Sequence, residues 1–287
     1  MSAKTNYQAN LVGVIGKPVD ENPTGVMFEA AFKELGMNWH YLNIEVLRDD
    51  LEDAIKGIRA FNMSGMNITM PYKVDVVSYL DAVADDAALM GAVNAIRVEG
   101  RKLIGENTDG KGFLRGLRDD GKTDPDGRKV VLLGAGGAAR AIAVELALAG
   151  AVCITVVNRS KKNGKQLSAL ISDKTSTEAS FVQWKGVYEI PSDTDIVVNA
   201  TPIGFTDPNE KPPINYDAIT DKMVVCDVIP NNPSTLFLRE GGGRGARLVD
   251  GLSMLVYQGV ICFKIWTGVE APVDIMRGAL RAAFGLQ

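Results

Sequence analysis

The chain has 287 residues, enough for two domains of ordinary size, and its 46% apolar and 23% charged residues are the mix of a globular protein rather than a disordered or fibrous one. A net charge of −4 argues against a nucleic-acid-binding surface, although it leaves room for a local basic pocket. No apolar run approaches the length of a membrane span and residues 1–10 are too polar for a signal peptide, so the expectation is a cytoplasmic protein with no membrane partner.

Leu11 to Ile15 reads as a short strand running into the turn Gly16-Lys17-Pro18. Asn22-Pro23-Thr24-Gly25 extends that loop, Val26 to Leu35 has helical spacing, and Gly36 is its stop. Trp39 to Val46 is a second strand, Asp49 caps a helix reaching about Phe61, and Gly65 to Met70 is a third strand. The first half is therefore a small α/β domain with a mostly parallel sheet. The only histidine, His40, lies inside the second strand, where a structural role suits it, so any proton transfer falls to Lys, Asp, Glu or Tyr.

Asn67-Ile68-Thr69-Met70-Pro71-Tyr72-Lys73 is a strand with a polar tip and then a proline that opens a helix. Open α/β sheets bind ligands at the carboxyl ends of their strands, which places Lys73 at a substrate; the alternative is a surface lysine in a first helical turn. Helical segments run to about Met90, and Gly91 to Ile96 leads into a hairpin around Glu99-Gly100. The return strand ends in Gly105-Glu106-Asn107-Thr108-Asp109-Gly110, where Asp109 is either a helix N-cap or a site carboxylate.

Val130 to Leu133 then passes through Gly134-Ala135-Gly136-Gly137-Ala138 into an Ala-rich helix that Gly150 stops, and Val152 to Val157 supplies the next strand. This is the strand, phosphate loop and helix of a dinucleotide site: Gly134 permits the tight turn, Gly136 admits a pyrophosphate, and small Ala139 lets helix and strand pack closely. A glycine-rich turn with no ligand is the plainer alternative, and the complete βαβ context favours the dinucleotide. The second strand ends in Asn158-Arg159-Ser160-Lys161-Lys162, with no acid to hold the ribose hydroxyls of NAD. Arg159 can stack on adenine while its fork binds phosphate, and Ser160 and Lys162 add donors, so NADP is expected ahead of NAD.

Asp195 to Gly204 is another buried strand ending in a polar turn, Met223 to Val228 and Ala246 to Val249 supply two more, and Thr206 to Asn215 reads as a mobile loop. Gly241-Gly242-Gly243 reads as a turn between a helix and the last strand. The chain is helical from Leu252 to Gly268 and again from Pro272 to Phe284. The three cysteines, Cys153, Cys226 and Cys262, sit apart in apolar stretches like buried reduced thiols, and no Cys/His cluster offers a metal site.

Together these stretches resemble the shikimate/quinate dehydrogenase family over nearly the whole chain. The family's Asn-x-Thr-x-Pro-x-Lys looks like Asn67 to Lys73, its Gly-Ala-x-Asn like Gly91 to Asn94, and its Asn-Thr-Asp-Gly like Asn107 to Gly110. Its Gly-Ala-Gly-Gly-Ala loop matches Gly134 to Ala138, its Asn-Arg-Ser/Thr matches Asn158 to Ser160, and its Asp-Gly-x-x-Met-Leu-x-x-Gln matches Asp250 to Gln258. The resemblance implies a two-domain α/β fold, with a substrate domain of residues 1–110 plus 252–287 and an NADP-binding Rossmann domain of residues 111–251. It implies an active site in the cleft between the domains, with Lys73 and Asp109 as the catalytic pair. Asn67, Thr69, Asn94 and Gln258 would hold ring hydroxyls, and Asn199, Thr201 and Met254 would lie along the nicotinamide.

The implied activity is NADP-dependent hydride transfer between 3-dehydroshikimate and shikimate, or a close cyclic polyol acid, by a monomer or homodimer. Two departures bear on the substrate. Asn22 and Thr24 stand where the family has the serines of Ser-x-Ser-Pro that bind the substrate carboxylate. Pro230 follows Asp227-Val228-Ile229 where the family has the tyrosine of Asp-x-x-Tyr-x-Pro. A site built from hydrogen bonds discriminates strongly when one is changed. These departures favour a paralogue specific for quinate or another ring hydroxy acid. Outside the dehydrogenases the alternative is a non-catalytic NADP-binding regulatory module, against which intact Lys73 and Asp109 argue.

Overall fold

The computed structural model describes residues 7–286. The chain forms two compact units: one runs to Thr108 and resumes at Gly259, and the other is Asp109–Gln258. The second division falls inside a helix, seven residues beyond the 252 expected from sequence, because the start of that helix packs within the middle unit.

In the outer unit, β1 (Asn10–Gly16), α1 (Thr24–Glu34), β2 (Trp39–Glu45), α2 (Leu51–Ala60) and β3 (Gly65–Ile68) follow one another as the sequence predicts. Leu51, Ile55 and Ile58 recur at helical spacing, so α2 buries one stripe against Ile15, Met66 and Ile68. Then come β4 (Ala82–Val83), α3 (Asp85–Met90), β5 (Ala95–Glu99) and β6 (Lys102–Glu106). The sheet order is β2-β1-β3-β5-β6-β4. β1 pairs parallel with β2 and β3, whereas β5 runs antiparallel to both neighbours. The short turn at Gly100, which has a positive φ of 61°, joins β5 to β6 as a hairpin and makes that pair antiparallel. His40 is exposed on β2, an edge strand, and carries no core role.

The chain continues through α4 (Thr108–Asp119), β7 (Lys129–Leu133), α5 (Gly137–Leu148), β8 (Cys153–Asn158), α6 (Lys161–Lys174), β9 (Glu178–Gln183), β10 (Ile196–Asn199) and β11 (Val224–Asp227). It ends with α7 (Leu236–Gly243), β12 (Arg247–Val249), α8 (Gly251–Thr267) and α9 (Val273–Ala283). The middle sheet is parallel throughout, in the order β12-β11-β10-β7-β8-β9. Its two βαβ halves diverge at β7 and β10, and such a switch point leaves a crevice beyond the strand ends where dinucleotides bind. β10 and β11 are buried on both faces, as strands covered by helices on each side must be.

Three local expectations change. β9 escapes the sequence reading because Glu178-Ala-Ser-Phe-Val-Gln is a half-polar edge strand with weak alternation. Gly241 to Gly243 form the last turn of α7 rather than a loop, and a side chain on Gly241 would press on Val225 of β11 at 3.0 Å. The end of the predicted mobile loop is tied down: Tyr188 donates to Pro213 O (2.9 Å), Asn215 N–H to Tyr188 O (2.8 Å), and Lys211 pairs with Glu240.

Candidate functional site

The dinucleotide elements sit where the switch point requires. Gly134 follows β7 with φ 114°, and a Cβ there would meet Ala200 O at 2.7 Å, so no other residue permits this approach to the β10 loop. Gly136 and Gly137 face open space, and Gly136 precedes α5 without a side-chain cap. The first N–H groups of α5 are thus available to an anion, with Ala135 and Ala138 half-buried beside them. This open cradle fits a pyrophosphate.

At the end of β8, Asn158 Nδ2 donates to Ser160 O (3.0 Å), and Ser160 Oγ caps α6 by accepting from Asn163 N–H (3.3 Å). Arg159, Lys161 and Lys162 are exposed around this turn, which suits a 2′-phosphate. Arg159 also lines a cavity of about 200 Å³ with Trp184, Gly186, Ile203 and Pro213. Trp184 lines this cavity beside Arg159 although the sequence did not mark it, because it follows the unrecognised β9.

Asn199 and Thr201 behave differently from each other. Thr201 is half-buried, whereas Asn199 is 0% exposed and its side-chain atoms are engaged with the protein. Asn199 Oδ1 accepts from Thr201 N–H (3.2 Å) and Thr201 Oγ1 (2.7 Å), while Nδ2 donates to Ile203 O (3.3 Å) and Asp227 Oδ1 (3.1 Å). Its amide shapes the turn that carries Thr201. Asp227, 1% exposed, also accepts from Val228 N–H, Ile229 N–H and Thr235 Oγ1. Burial pushes its carboxyl up to about 6, against those hydrogen bonds, which favour the charged form. The sequence signal for this second missed residue was an acid ending an apolar strand.

Asp109 is half-buried in the first turn of α4, inside the helix rather than at the cap position. One turn along, Gly112 lies so close to α8 that a Cβ would strike Gln258 N at 2.6 Å and Met254 O at 2.8 Å. Within the middle unit this brings Asp109, Met254 and Gln258 onto neighbouring turns of two helices. Gln258 is buried, with Nε2 donating to Leu255 O (3.0 Å).

In the outer unit the predicted substrate residues gather at the carboxyl ends of β1 and β3. Gly16 leaves room there for Thr69, whose methyl would lie 2.2 Å from a Cβ at Gly16. Asn22 Oδ1 accepts from Thr24 N–H (3.0 Å), and Asn43 Nδ2 holds their loop by donating to Val19 O (2.9 Å) and Asn22 O (3.0 Å). The Asn22 Nδ2 and the hydroxyls of Thr24 and Thr69 make no hydrogen bond within the described residues, which leaves them for a ligand.

Asn67 is held at both ends. Its Oδ1 accepts from Tyr41 OH (2.8 Å), and its Nδ2 donates to Asn94 O (3.2 Å) and approaches Cys262 Sγ (3.4 Å). Asn94 in turn donates to Thr108 Oγ1 (3.0 Å) and accepts from Thr108 N–H (2.7 Å). Lys73 is half-buried in a turn after β3, not in a helix, and its carbonyl accepts from Val93 N–H (2.7 Å). The structure thus links Asn67, Asn94 and the Lys73 backbone. It adds Tyr41 and Cys262, which no local motif had marked, and Thr108, which lies in the Asn-Thr-Asp-Gly stretch without a role assigned to it.

Among the described residues no cluster of His, Cys, Asp or Glu could hold a metal, and no helix is long and apolar enough to cross a membrane. Cys226 and Cys262 are buried, Cys153 is half-buried, and none of the three forms a disulfide. Burial pushes the Cys226 thiol far up, which makes it a poor nucleophile.

Comparison with known proteins covers most of these features. Residues 14–96 match the model of the shikimate dehydrogenase substrate binding domain, residues 120–204 that of shikimate / quinate 5-dehydrogenase, and residues 251–281 that of the shikimate 5'-dehydrogenase C-terminal domain. Shikimate dehydrogenase (NADP(+)) of Desulforamulus reducens is 40% identical over 284 residues, covering 96% of each chain. Among solved structures, the ligand-free 5-ketofructose reductase of Gluconobacter sp. strain CHM43 is 45% identical, with a TM-score of 0.94 over 96% of this chain and 99% of that one. A shikimate dehydrogenase in complex with NADP+ is 36% identical, with a TM-score of 0.87 over 98% and 97% of the two chains. The chain belongs to the shikimate/quinate dehydrogenase family and is an oxidoreductase.

Proposed function

We propose that this chain interconverts 3-dehydroshikimate and shikimate, or a close cyclic polyol acid, by NADP-dependent hydride transfer. The observation that carries the reading is the pairing of an open phosphate cradle at Gly134 to Ala138 with a basic, acid-free turn at Arg159 to Lys162. The relatives named for shikimate and NADP(+) support it. Bound NADP supplies the hydride or accepts it. Lys73 handles the hydroxyl proton and polarises the carbonyl as a charged donor, and Asp109 supplies the carboxylate of the catalytic pair. Asn67, Thr69, Asn94 and Gln258 orient the ring hydroxyls, and Arg159, Ser160 and Lys162 select the 2′-phosphate.

A second substrate reading has its own support. Asn22 and Thr24 replace the serines that would bind a carboxylate, and the Asn22 carbonyl is occupied by Thr24 N–H, so this corner offers a neutral amide donor. The 45% identical structure is that of a 5-ketofructose reductase. A polyhydroxy ketone without a carboxylate suits such a corner.

Nicotinamide absorbance, followed over shikimate, quinate and 5-ketofructose with NADP(H) and NAD(H), separates the two readings. Turnover of shikimate with NADP establishes the first. Turnover of 5-ketofructose alone replaces it with the second, and turnover of none, with NADPH still bound, removes both.

A further inference from the structure

The geometry points to Asp227 as a positioning residue that sets the nicotinamide-side loop against the phosphate loop, an inference that rests on the dinucleotide reading above. Asp227 and Asn199 are register partners at the ends of β11 and β10. Beyond them lies the crevice of the sheet's switch point. The two oxygens of Asp227 have separate tasks. Oδ1 faces the crevice side, where it accepts from Asn199 Nδ2 (3.1 Å), Val228 N–H (2.8 Å) and Ile229 N–H (3.3 Å). Oδ2 faces α7, where it accepts from Thr235 Oγ1 (2.7 Å), the residue that caps that helix by accepting from Leu238 N–H (3.3 Å).

The Oδ1 side continues outward. Asn199, oriented by Asp227, holds both polar atoms of Thr201 and the carbonyl of Ile203, and Thr201 Oγ1 accepts from Ile203 N–H (3.2 Å). The resulting turn presses on Gly134, where a Cβ would lie 3.2 Å from Thr201 Cγ2. Without the carboxylate, Asn199 Nδ2 keeps only the longer bond to Ile203 O, and its amide is free to turn over. Thr201 then loses both its anchors together. Asp227 is 1% exposed, so it acts through this chain of contacts. An amide in its place can keep the arrangement, because its oxygen accepts from the same three N–H groups while its nitrogen donates to Thr235 Oγ1.

The test compares Asp227→Ala, Asp227→Asn and Thr235→Val in the full-length protein. NADPH binding is read by nicotinamide fluorescence, 2′,5′-ADP affinity by calorimetry, and kcat with the substrate that turns over. Asp227→Ala is expected to lose the nicotinamide fluorescence change and at least tenfold in kcat, while 2′,5′-ADP affinity stays within threefold. Asp227→Asn is expected to restore both within threefold. Thr235→Val is expected to melt earlier yet keep the wild-type fluorescence change and kcat, since it cuts only the α7 side.

An Ala variant that melts earlier but retains wild-type fluorescence and kcat would reduce the carboxylate to a stabilising role and overturn the proposal. So would an Asn variant as impaired as the Ala variant. Should the Ala variant fail to fold, Asn199→Ala, which cuts the Oδ1 side of the same chain, takes its place and is expected to lose the same fluorescence change; wild-type fluorescence and kcat in that variant would overturn the proposal. Failure of the wild-type protein to bind 2′,5′-ADP or NADPH would instead defeat the dinucleotide reading on which the proposal stands.

Discussion

The two units build their binding residues by different means. In the middle unit the cradle is contiguous: Gly134 to Ala138 supplies backbone N–H groups, and Asn158 to Lys162 supplies charge at the next strand's end. In the outer unit the polar residues come from far apart in sequence. Tyr41, Asn67, Asn94, Thr108 and Cys262 meet through side chains on β2, β3, α4 and α8 and the segment before β5. A backbone cradle tolerates changes around it, provided its glycines stay. A buried side-chain network makes each member depend on the others, because a lost partner leaves a polar atom dry.

That contrast predicts where substitutions should separate substrate chemistry from cofactor binding. The largest effect belongs to Lys73→Ala, which should lower kcat by about 10²–10⁴-fold, the usual worth of a positioned proton-transfer group. NADPH affinity, measured by fluorescence titration, should stay within about threefold; an equal loss of both would show that the two sites are not separable.

Next is the cost of the buried acid in the middle unit. Asp227 has its carboxyl raised from 3.8 to about 6, chiefly by burial. Between those pH values the unfolded chain has lost this proton while the folded chain retains it, so stability falls as pH rises through that window and is level above it. The expected penalty at pH 7 is about 3 kcal/mol. Asp227→Asn, which cannot ionise, should therefore gain on wild type by up to that amount between pH 4 and pH 7. Denaturant titrations at the two pH values measure this; a difference independent of pH would mean that Asp227 titrates normally.

Cofactor choice comes third. Arg159→Ala should lower kcat/KM with NADP by about 10–100-fold, the range for a charge-assisted phosphate contact, and leave NAD little changed. Equal losses with both would assign Arg159 to the adenine instead. The smallest effect should be that of Tyr41→Phe, which leaves Asn67 Oδ1 without its donor at a cost of about 1–2 kcal/mol in stability. It should raise the substrate KM several-fold with NADPH affinity unchanged, since Asn67 would be freer to rotate. A variant with wild-type KM would show that Asn94 O alone orients Asn67.

The same contrast explains what could be read from the chain alone. The phosphate loop, the basic turn and the alternation of strand and helix were legible because each is local and follows from glycine geometry, charge or period. Asp109 was ambiguous as cap or site, and its place inside α4 removes the cap reading. Asn199 could be found but not understood: strand-end position suggested a ligand contact, and only the fold shows its amide spent on Thr201 and Asp227. Tyr41 and Cys262 carried no signal at all. A tyrosine in an apolar strand and a cysteine in an apolar helix look like ordinary core until long-range packing brings them to Asn67. β9 was missed for the opposite reason, as an edge strand needs little apolar patterning when one side has no neighbour.

The proposed reaction moves a hydride directly from the reduced nicotinamide to a ring or sugar ketone, with Lys73 supplying the proton. It is tested most directly with NADPH deuterated at nicotinamide C4, on each face in turn, using 3-dehydroshikimate and 5-ketofructose as acceptors. Direct transfer puts deuterium on the new carbinol carbon of one product from one face only, at a rate about 10²–10⁴-fold lower with Lys73→Ala than with the wild-type protein. NADPH oxidation with no deuterium in either product, or transfer by Lys73→Ala at the wild-type rate, would overturn it.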